Sequence, residues 1–201
     1  MKHKKTIIAT DKTIHSIIDE AMINLGNDAD LNHIDVGNVT NMDGVFFNSK
    51  FNGDISKWNV SNVITMEALF QSSNFNGDIS QWNISKVKNI QYMFFASEFN
   101  GDISRWNVSS VQTMTETFSK SKFNQDISKW DVSNVTRMDL IFFGSDFSND
   151  ISSWKFNKSL SIGMDLRFVL ENSHNVKRQK ENDELKSSIS LLINPTNKKS
   201  L

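Results

Sequence analysis

Hydrophobic and polar positions recur along this chain with a step of 24 residues. All five tryptophans keep the step, as do five phenylalanines and five aspartates that each precede Ile-Ser. The three sets are Trp58, Trp82, Trp106, Trp130 and Trp154; Phe51, Phe75, Phe99, Phe123 and Phe147; and Asp54, Asp78, Asp102, Asp126 and Asp150. A chain with this self-similarity is expected to stack one supersecondary unit on the next, because a single unit cannot bury its apolar edge alone.

The apolar spacing changes within each unit, and the change predicts two kinds of element. The stretch I-x-x-W-x-V at 55–60 alternates as a short strand does and matches the L-x-x-L-x-L segment of leucine-rich repeats. Met66, Leu69 and Phe70 then follow at i, i+3 and i+4, which is one face of a helical turn. We therefore predict an α/β repeat solenoid of leucine-rich-repeat type. It is a right-handed superhelix with short parallel strands on one face and short helices on the other.

The ends of the array have patterns of their own. Residues 5–9 predict a short strand, and Thr10 or Asp11 is placed to N-cap a helix that Gly26 ends. The apolar stripe of that helix is Ile14, Ile17, Ile18, Ala21, Met22 and Leu25. We predict an N-terminal cap at 1–29, about six repeats at 30–170, and a C-terminal cap helix with a flexible tail at 171–201.

The repeat motif is specific enough to suggest relatives. The D-I-S-x-W-N-V-S-x-V core and the M-x-x-x-F segment resemble the BspA-like leucine-rich-repeat surface proteins of bacteria, over roughly residues 5–170. The leader at 5–12, followed by Asp30-Leu31-Asn32, is similar to that of intracellular or phage-borne members. The resemblance implies a leucine-rich-repeat fold that acts through protein–protein contact, with adhesion as the role of some members.

Composition narrows the classes of function. The net charge is −1, which gives no overall field to attract nucleic acid or an anionic membrane. The absence of cysteine excludes thiolate catalysis and thiolate metal sites. The basic start of the chain is followed by only a short apolar stretch, Ile7–Ala9, too short for a signal peptide. We therefore expect a cytoplasmic protein, with the cell surface as the alternative.

Candidate chemistry is sparse. The aspartates at 54, 78, 102, 126 and 150 could form a calcium ladder, but an Asx turn in every repeat is the preferred interpretation. The four histidines share no metal-ligand spacing, and no nucleophile–base motif or phosphate-binding loop occurs. We expect no enzyme activity, no catalytic residues, no metal and no cofactor.

Two sets of side chains are candidates for binding a partner. The first projects outward from the predicted strands and includes a mildly basic stripe; its members are Lys57, Asn59, Gln81, Asn83, Arg105, Asn107, Lys129, Asp131 and Lys155. This set favours a partner with an acidic surface, although solvated charges and hydrogen-bonded polar ladders would give the same pattern. The second set is Phe47, Phe95 and Phe143, which either fold under the loop or form an apolar patch for a partner or for self-association.

These patterns predict a non-enzymatic module that binds another protein, as a monomer or a weak homo-oligomer. Nucleic acid is disfavoured as a partner, since aromatic stacking groups do not interleave with the outward-facing charges, and a membrane is not expected. Two alternatives stay open. One is a bacterial surface adhesin, and the other is a phage or mobile-element inhibitor of a host defence protein.

Overall fold

The computed structural model describes residues 6–160. Strand β1 (Ile7–Ile8) is followed by helix α1 (Ile14–Leu25) and strand β2 (Ile34–Asp35). β1 and β2 pair in parallel, Ile7 opposite Ile34 and Ile8 opposite Asp35. The predicted C-terminal cap at 171–201 and the end of the predicted array at 161–170 lie outside the described residues.

The strand and the amphipathic helix predicted near the N-terminus are confirmed. α1 buries Ile14, Ile18 and Ala21, and Gly26 ends it with a φ of 88° and an N–H bond to the Met22 carbonyl at 3.0 Å. The residue before α1 is Thr13, whose side chain makes no capping bond to the helix. Thr10, one of the two predicted capping residues, closes the turn that leads into the helix. Its carbonyl accepts the N–H groups of Thr13 and Ile14, at 3.0 and 2.9 Å, and its N–H donates to the Thr13 hydroxyl at 3.0 Å.

Asp11 has a different role, which ties the N-terminal segment to the first repeat. Its carboxylate accepts bonds from the backbone N–H and the hydroxyl of Thr40, both at 2.7 Å, and from the N–H of Asn41 at 3.1 Å. The imidazole of His15 lies 3.0 Å from the Asp43 carbonyl oxygen. The helix is therefore attached to the repeats by polar contacts as well as by its apolar stripe.

Successive 24-residue units are joined by backbone hydrogen bonds. In one stretch the N–H groups of residues 66, 68, 70 and 72 donate to carbonyls 89, 91, 93 and 95, at 2.8–2.9 Å. Parallel bridges link the start of this stretch from unit to unit, in the order Asn41, Thr65, Asn89, Thr113 and Arg137. This inter-unit ladder satisfies the backbone groups of a chain segment that has no regular helix or strand of its own.

The stretch that carries the ladder is a run of turns, where the sequence pattern predicted a short helix. The N–H groups of residues 69, 71 and 73 bond to carbonyls three residues earlier. The N–H groups between them donate to carbonyls of the next unit. Two residues in each unit have positive φ: Gly44, Asn48, Ala68, Ser72, Tyr92, Ala96, Glu116, Lys120, Leu140 and Gly144. An α-helix is impossible with this alternation, because it requires every N–H to bond within the segment.

The predicted strand at Trp58–Val60 is also absent. The Trp58 N–H bonds to the Ile55 carbonyl at 3.1 Å, and the Val63 N–H bonds to the Val60 carbonyl at 2.9 Å, so each segment closes a turn on itself. The period of two in this stretch arises because exposed residues alternate with buried ones in consecutive turns. The inter-unit ladder runs instead through the segment that was predicted to be helical.

The apolar columns predicted from the repeat are confirmed as the core. The rings at 46, 70, 94, 118 and 142 stack at centroid distances of 5.4–5.8 Å, and those at 51, 75, 99, 123 and 147 at 6.1–6.3 Å. Paired strands lie about 4.8 Å apart. The wider ring spacings mean that successive units are related by a rotation as well as a translation.

Candidate protein-binding surface

The nine residues predicted to face outward are all exposed. Within a unit, a buried tryptophan separates the two exposed positions. Trp58 lies between Lys57 and Asn59, and the same order repeats in the later units. The nine residues occupy two columns, one starting at Lys57 and one at Asn59. The structure thus places this set on the surface, although on turns rather than on strands.

The column that starts at Asn59 caps turns. The Asn59 side-chain oxygen accepts the Ser61 N–H at 3.2 Å, and Asn83 and Asn107 do the same for Ser85 and Ser109, at 3.1 Å. Asp131 accepts both the N–H and the hydroxyl of Ser133, at 3.1 and 2.6 Å. The hydroxyl bond, more than the backbone one, holds the pKa of Asp131 below its ordinary value, with a contribution from Lys155. The side-chain oxygens of Asn59, Asn83, Asn107 and Asp131 are therefore engaged in bonds within their own turns.

The aspartate column is a set of Asx turns, as predicted. The Asp54 carboxylate accepts the Ser56 N–H at 2.9 Å, and the bond recurs at the same distance for the aspartates at 78, 102 and 126 and at 2.8 Å for the one at 150. Bonds from Ser56 lower the pKa of Asp54, and bonds from Ser104 lower that of Asp102. Within residues 6–160, no three histidine or acidic side chains form a group that could hold a metal ion.

Charge is segregated within each unit. We define the basic band as residues 57–64, 81–88, 105–112, 129–136 and 153–160. It contains one acid, Asp131, and seven exposed cations: Lys57, Lys86, Lys88, Arg105, Lys129, Lys155 and Lys158. The rest of the chain between 51 and 160 carries three cations, Lys120, Lys122 and Arg137, and ten acids. A chain that is nearly neutral overall therefore presents one strongly basic surface segment.

An open groove of about 710 Å³ lies within the basic band. Its lining residues all belong to the band, and no carboxylate is among them: Lys88, Ser109, Ser110, Gln112, Asn134, Thr136 and Asn157. Asn134 donates to the Ser109 carbonyl at 2.8 Å, and the Thr136 hydroxyl donates to the Gln112 carbonyl at 3.1 Å. These bonds between units hold the floor of the groove in place.

The three phenylalanines of the second predicted set differ from one another. Phe47 and Phe143 are 55% and 52% exposed, so neither is folded beneath a loop. Phe95 is half-buried, with Tyr92 edge-on at 6.0 Å and the Lys120 ammonium 5.5 Å from the ring centroid. Phe47 and Phe143 are therefore exposed apolar side chains, and Phe95 is partly covered by its neighbours.

The outward set predicted from the sequence contains four of the seven cations of the basic band, Lys57, Arg105, Lys129 and Lys155. It misses Lys86, Lys88 and Lys158, which lie five or more residues further along their units than the column at Lys57. The basic band therefore extends beyond the two predicted columns.

A protein-family model matches most of the chain. The model of the family described as "Mycoplasma protein of unknown function, DUF285" matches residues 14–120 and again 95–182. The chain belongs to the DUF285 family. The two overlapping DUF285 matches cover most of the repeat region. No curated protein and no solved structure matches the chain. Within the described part of the chain, no helix has the length and apolar character needed to cross a membrane.

Proposed function

We propose that this chain is a non-enzymatic protein-binding module, a BspA-like leucine-rich-repeat solenoid that holds a partner protein through the basic band. The single observation that carries the proposal is the segregation of charge within a regular framework. Seven cations and one acid share the band, although the whole chain has a net charge of −1. A surface of this kind attracts and orients an acidic partner.

The repeat supports the proposal because buried positions, which pack the core, are distinct from exposed positions, which are available to a partner. The largest side chains of the core keep one residue type from unit to unit, as the column of five buried tryptophans illustrates. The exposed column at 57, 81, 105 and 129 varies among Lys, Gln and Arg. A regular scaffold whose exposed positions vary is the arrangement by which repeat proteins form extended binding surfaces.

The test is affinity capture from the lysate of the cell that makes the protein, read by quantitative mass spectrometry. Wild type is compared with a band variant, Lys57→Glu, Arg105→Glu and Lys129→Glu. The control variant carries Lys50→Glu, Lys120→Glu and Lys122→Glu, an equal change of charge at exposed sites outside the band. Circular dichroism establishes that both variants are folded.

The expected result is a protein that wild type and the control variant retain and the band variant loses at least tenfold. A protein retained equally by all three would move the site to Phe47 and Phe143 or to the N-terminal segment. Failure of wild type to capture any protein would contradict the proposal.

The proposal includes a cytoplasmic location. Treatment of intact cells with a protease tests this part separately. The protein should survive until the cells are lysed, whereas digestion in intact cells would support the adhesin alternative.

A further inference from the structure

The open groove within the basic band has a chemistry of its own, and we propose that it receives an extended, acidic segment of the partner protein. This inference rests on the proposed function, which it makes more specific. It adds a location, at the units between residues 81 and 160, and a kind of ligand.

Charge is present at both ends of the groove. Lys88 lines one end, and exposed Lys86, two residues before it, donates from its ammonium to the Asn62 side-chain oxygen at 2.8 Å. At the other end, Asn157 is followed by exposed Lys158. The one acid of the band, Asp131, precedes Asn134 by three residues but does not line the groove. The charge of Lys88 is therefore not offset by a carboxylate within the lining.

The lining of the groove is polar. Between the lysines, the groove presents the hydroxyls and amides of residues such as Ser110, Gln112 and Asn134. An extended peptide carries unpaired N–H and C=O groups along its length, and side chains that both donate and accept hydrogen bonds suit such a ligand. Because Asn134 and Thr136 are fixed by bonds to the preceding unit, little ordering is needed on binding.

The distance between the lysines at the two ends suits a short peptide. Lys86 and Lys158 are three repeat steps apart, and at about 4.8 Å a step this is on the order of 15 Å. An extended chain advances about 3.3 Å per residue, so a segment of about five residues spans the two ends. Two acidic residues near the ends of such a segment would meet the two groups of lysines.

The lining also favours peptide over single-stranded nucleic acid. No aromatic side chain lines the groove, and base stacking on aromatic rings is a main source of affinity for single strands. The phosphate groups of an oligonucleotide would still be attracted to the lysines, so the experiment includes an oligonucleotide as one of its probes.

The experiment measures fluorescence anisotropy with three labelled probes: an octamer of glutamate, an octamer of glutamine and an octamer of deoxythymidine. The groove variant carries Lys86→Glu, Lys88→Glu and Lys158→Glu. The control variant is again Lys50→Glu, Lys120→Glu and Lys122→Glu, which changes the net charge equally. Both are tested at low and at physiological salt.

The inference predicts that the glutamate octamer binds wild type at least tenfold more tightly than the glutamine octamer. The groove variant should lose at least tenfold in affinity, and the control variant less than threefold. Equal loss in both variants would show attraction by net charge alone and overturn the inference. Tighter binding of the deoxythymidine octamer than of the glutamate octamer would overturn it in favour of a nucleic acid.

Affinity capture with the same groove variant separates this inference from the proposed function. If the groove variant still captures the partner that the band variant loses, the groove inference fails and the proposed function stands. If wild type captures no protein at all, the proposed function itself fails.

Discussion

The indole Nε1–H of Trp58 donates a hydrogen bond to the carbonyl oxygen of Leu31, 27 residues earlier, at 3.1 Å. The same oxygen accepts the Ile34 N–H at 2.9 Å, so one carbonyl closes a turn in its own unit and holds the tryptophan of the next. The indole bond recurs in every later unit, at 2.9–3.2 Å, for Trp82, Trp106, Trp130 and Trp154. Each tryptophan therefore joins its unit to the preceding one with a polar bond as well as with its ring.

Removing one indole N–H should weaken the array measurably. Trp106→Phe keeps an aromatic ring but loses the bond to the Ile79 carbonyl, which retains its bond from the Trp82 N–H. We expect a loss of about 1–3 kcal/mol in the free energy of unfolding, from the bond and the smaller ring. Trp106→Ala should cost about 3–5 kcal/mol. Urea denaturation measures both, and equal stability of Trp106→Phe and wild type would contradict the role given to the indole bond.

Residues with positive φ provide a second prediction. Leu140 has a φ of 55°, which costs an L-residue about 1–2 kcal/mol, whereas glycine adopts this conformation freely. Because glycine also gains freedom in the unfolded chain, we expect Leu140→Gly to leave the free energy of unfolding unchanged or raise it by up to about 1 kcal/mol. Chemical denaturation checks the direction of the change.

Ile64→Gly is the matched control for that substitution. Ile64 and Leu140 are 39% and 40% exposed, but Ile64 is not among the residues with positive φ. We expect Ile64→Gly to lose about 1 kcal/mol. An equal loss of unfolding free energy in both variants would contradict the claim that the positive φ of Leu140 is unfavourable for a residue other than glycine.

Adjacent phenylalanines should differ sharply in their effect on stability. Phe142 is 4% exposed and stacks on Phe118 at 5.8 Å, whereas Phe143 is 52% exposed. Phe142→Ala should cost about 3–5 kcal/mol, and Phe143→Ala less than about 1 kcal/mol. Thermal denaturation of the two variants tests this, and similar losses would show that Phe143 is packed.

The contrast between Phe142 and Phe143 also shows what the sequence could reveal. A step of 24 residues identified the buried columns, because their tryptophans and phenylalanines recur at the same position in each unit. The same step could not identify local backbone structure, since Met66, Leu69 and Phe70 have the spacing of a helix but lie in consecutive turns. In this segment every second N–H group bonds to the next unit. Because this bonding depends on how the units stack, the residue pattern of one unit does not predict it.

Acid should destabilise the fold through the Asx turns. In folded Asp54 and Asp102 the pKa is lowered by bonds from Ser56 and Ser104, so the folded chain binds these protons less readily than the unfolded chain. The stabilisation is complete above the unfolded pKa of about 3.9 and is lost as the pH falls through the lowered folded value. Urea midpoints should therefore decrease as the pH falls below about 4.

Asn substitutions isolate this contribution. Asp54→Asn with Asp102→Asn keeps an oxygen that accepts the serine N–H but removes the titrating group. The fall in urea midpoint between pH 5 and pH 3 should be smaller in this variant than in wild type. An identical fall would place the acid sensitivity in other carboxylates.

The candidate site was predictable only in part, for a physical reason. The outward column at Lys57 follows from its alternation with Trp58, which is a property of the residues themselves. The groove depends on which units come together, since it combines Lys88 with residues more than 20 positions away such as Ser109 and Asn134. The lining of the groove is therefore set by the stacking of units, which the pattern of a single unit does not contain.

The most direct test of the central proposal is a lysine footprint of the complex with the partner obtained by affinity capture. Acetylation by a small reagent is measured by mass spectrometry at each lysine, with and without the partner. We predict protection of the band lysines 57, 86, 88, 129, 155 and 158, and unchanged reactivity at Lys12, Lys50, Lys120 and Lys122. Protection confined to Lys12, Lys50, Lys120 and Lys122 would contradict the assignment of the basic band as the binding surface.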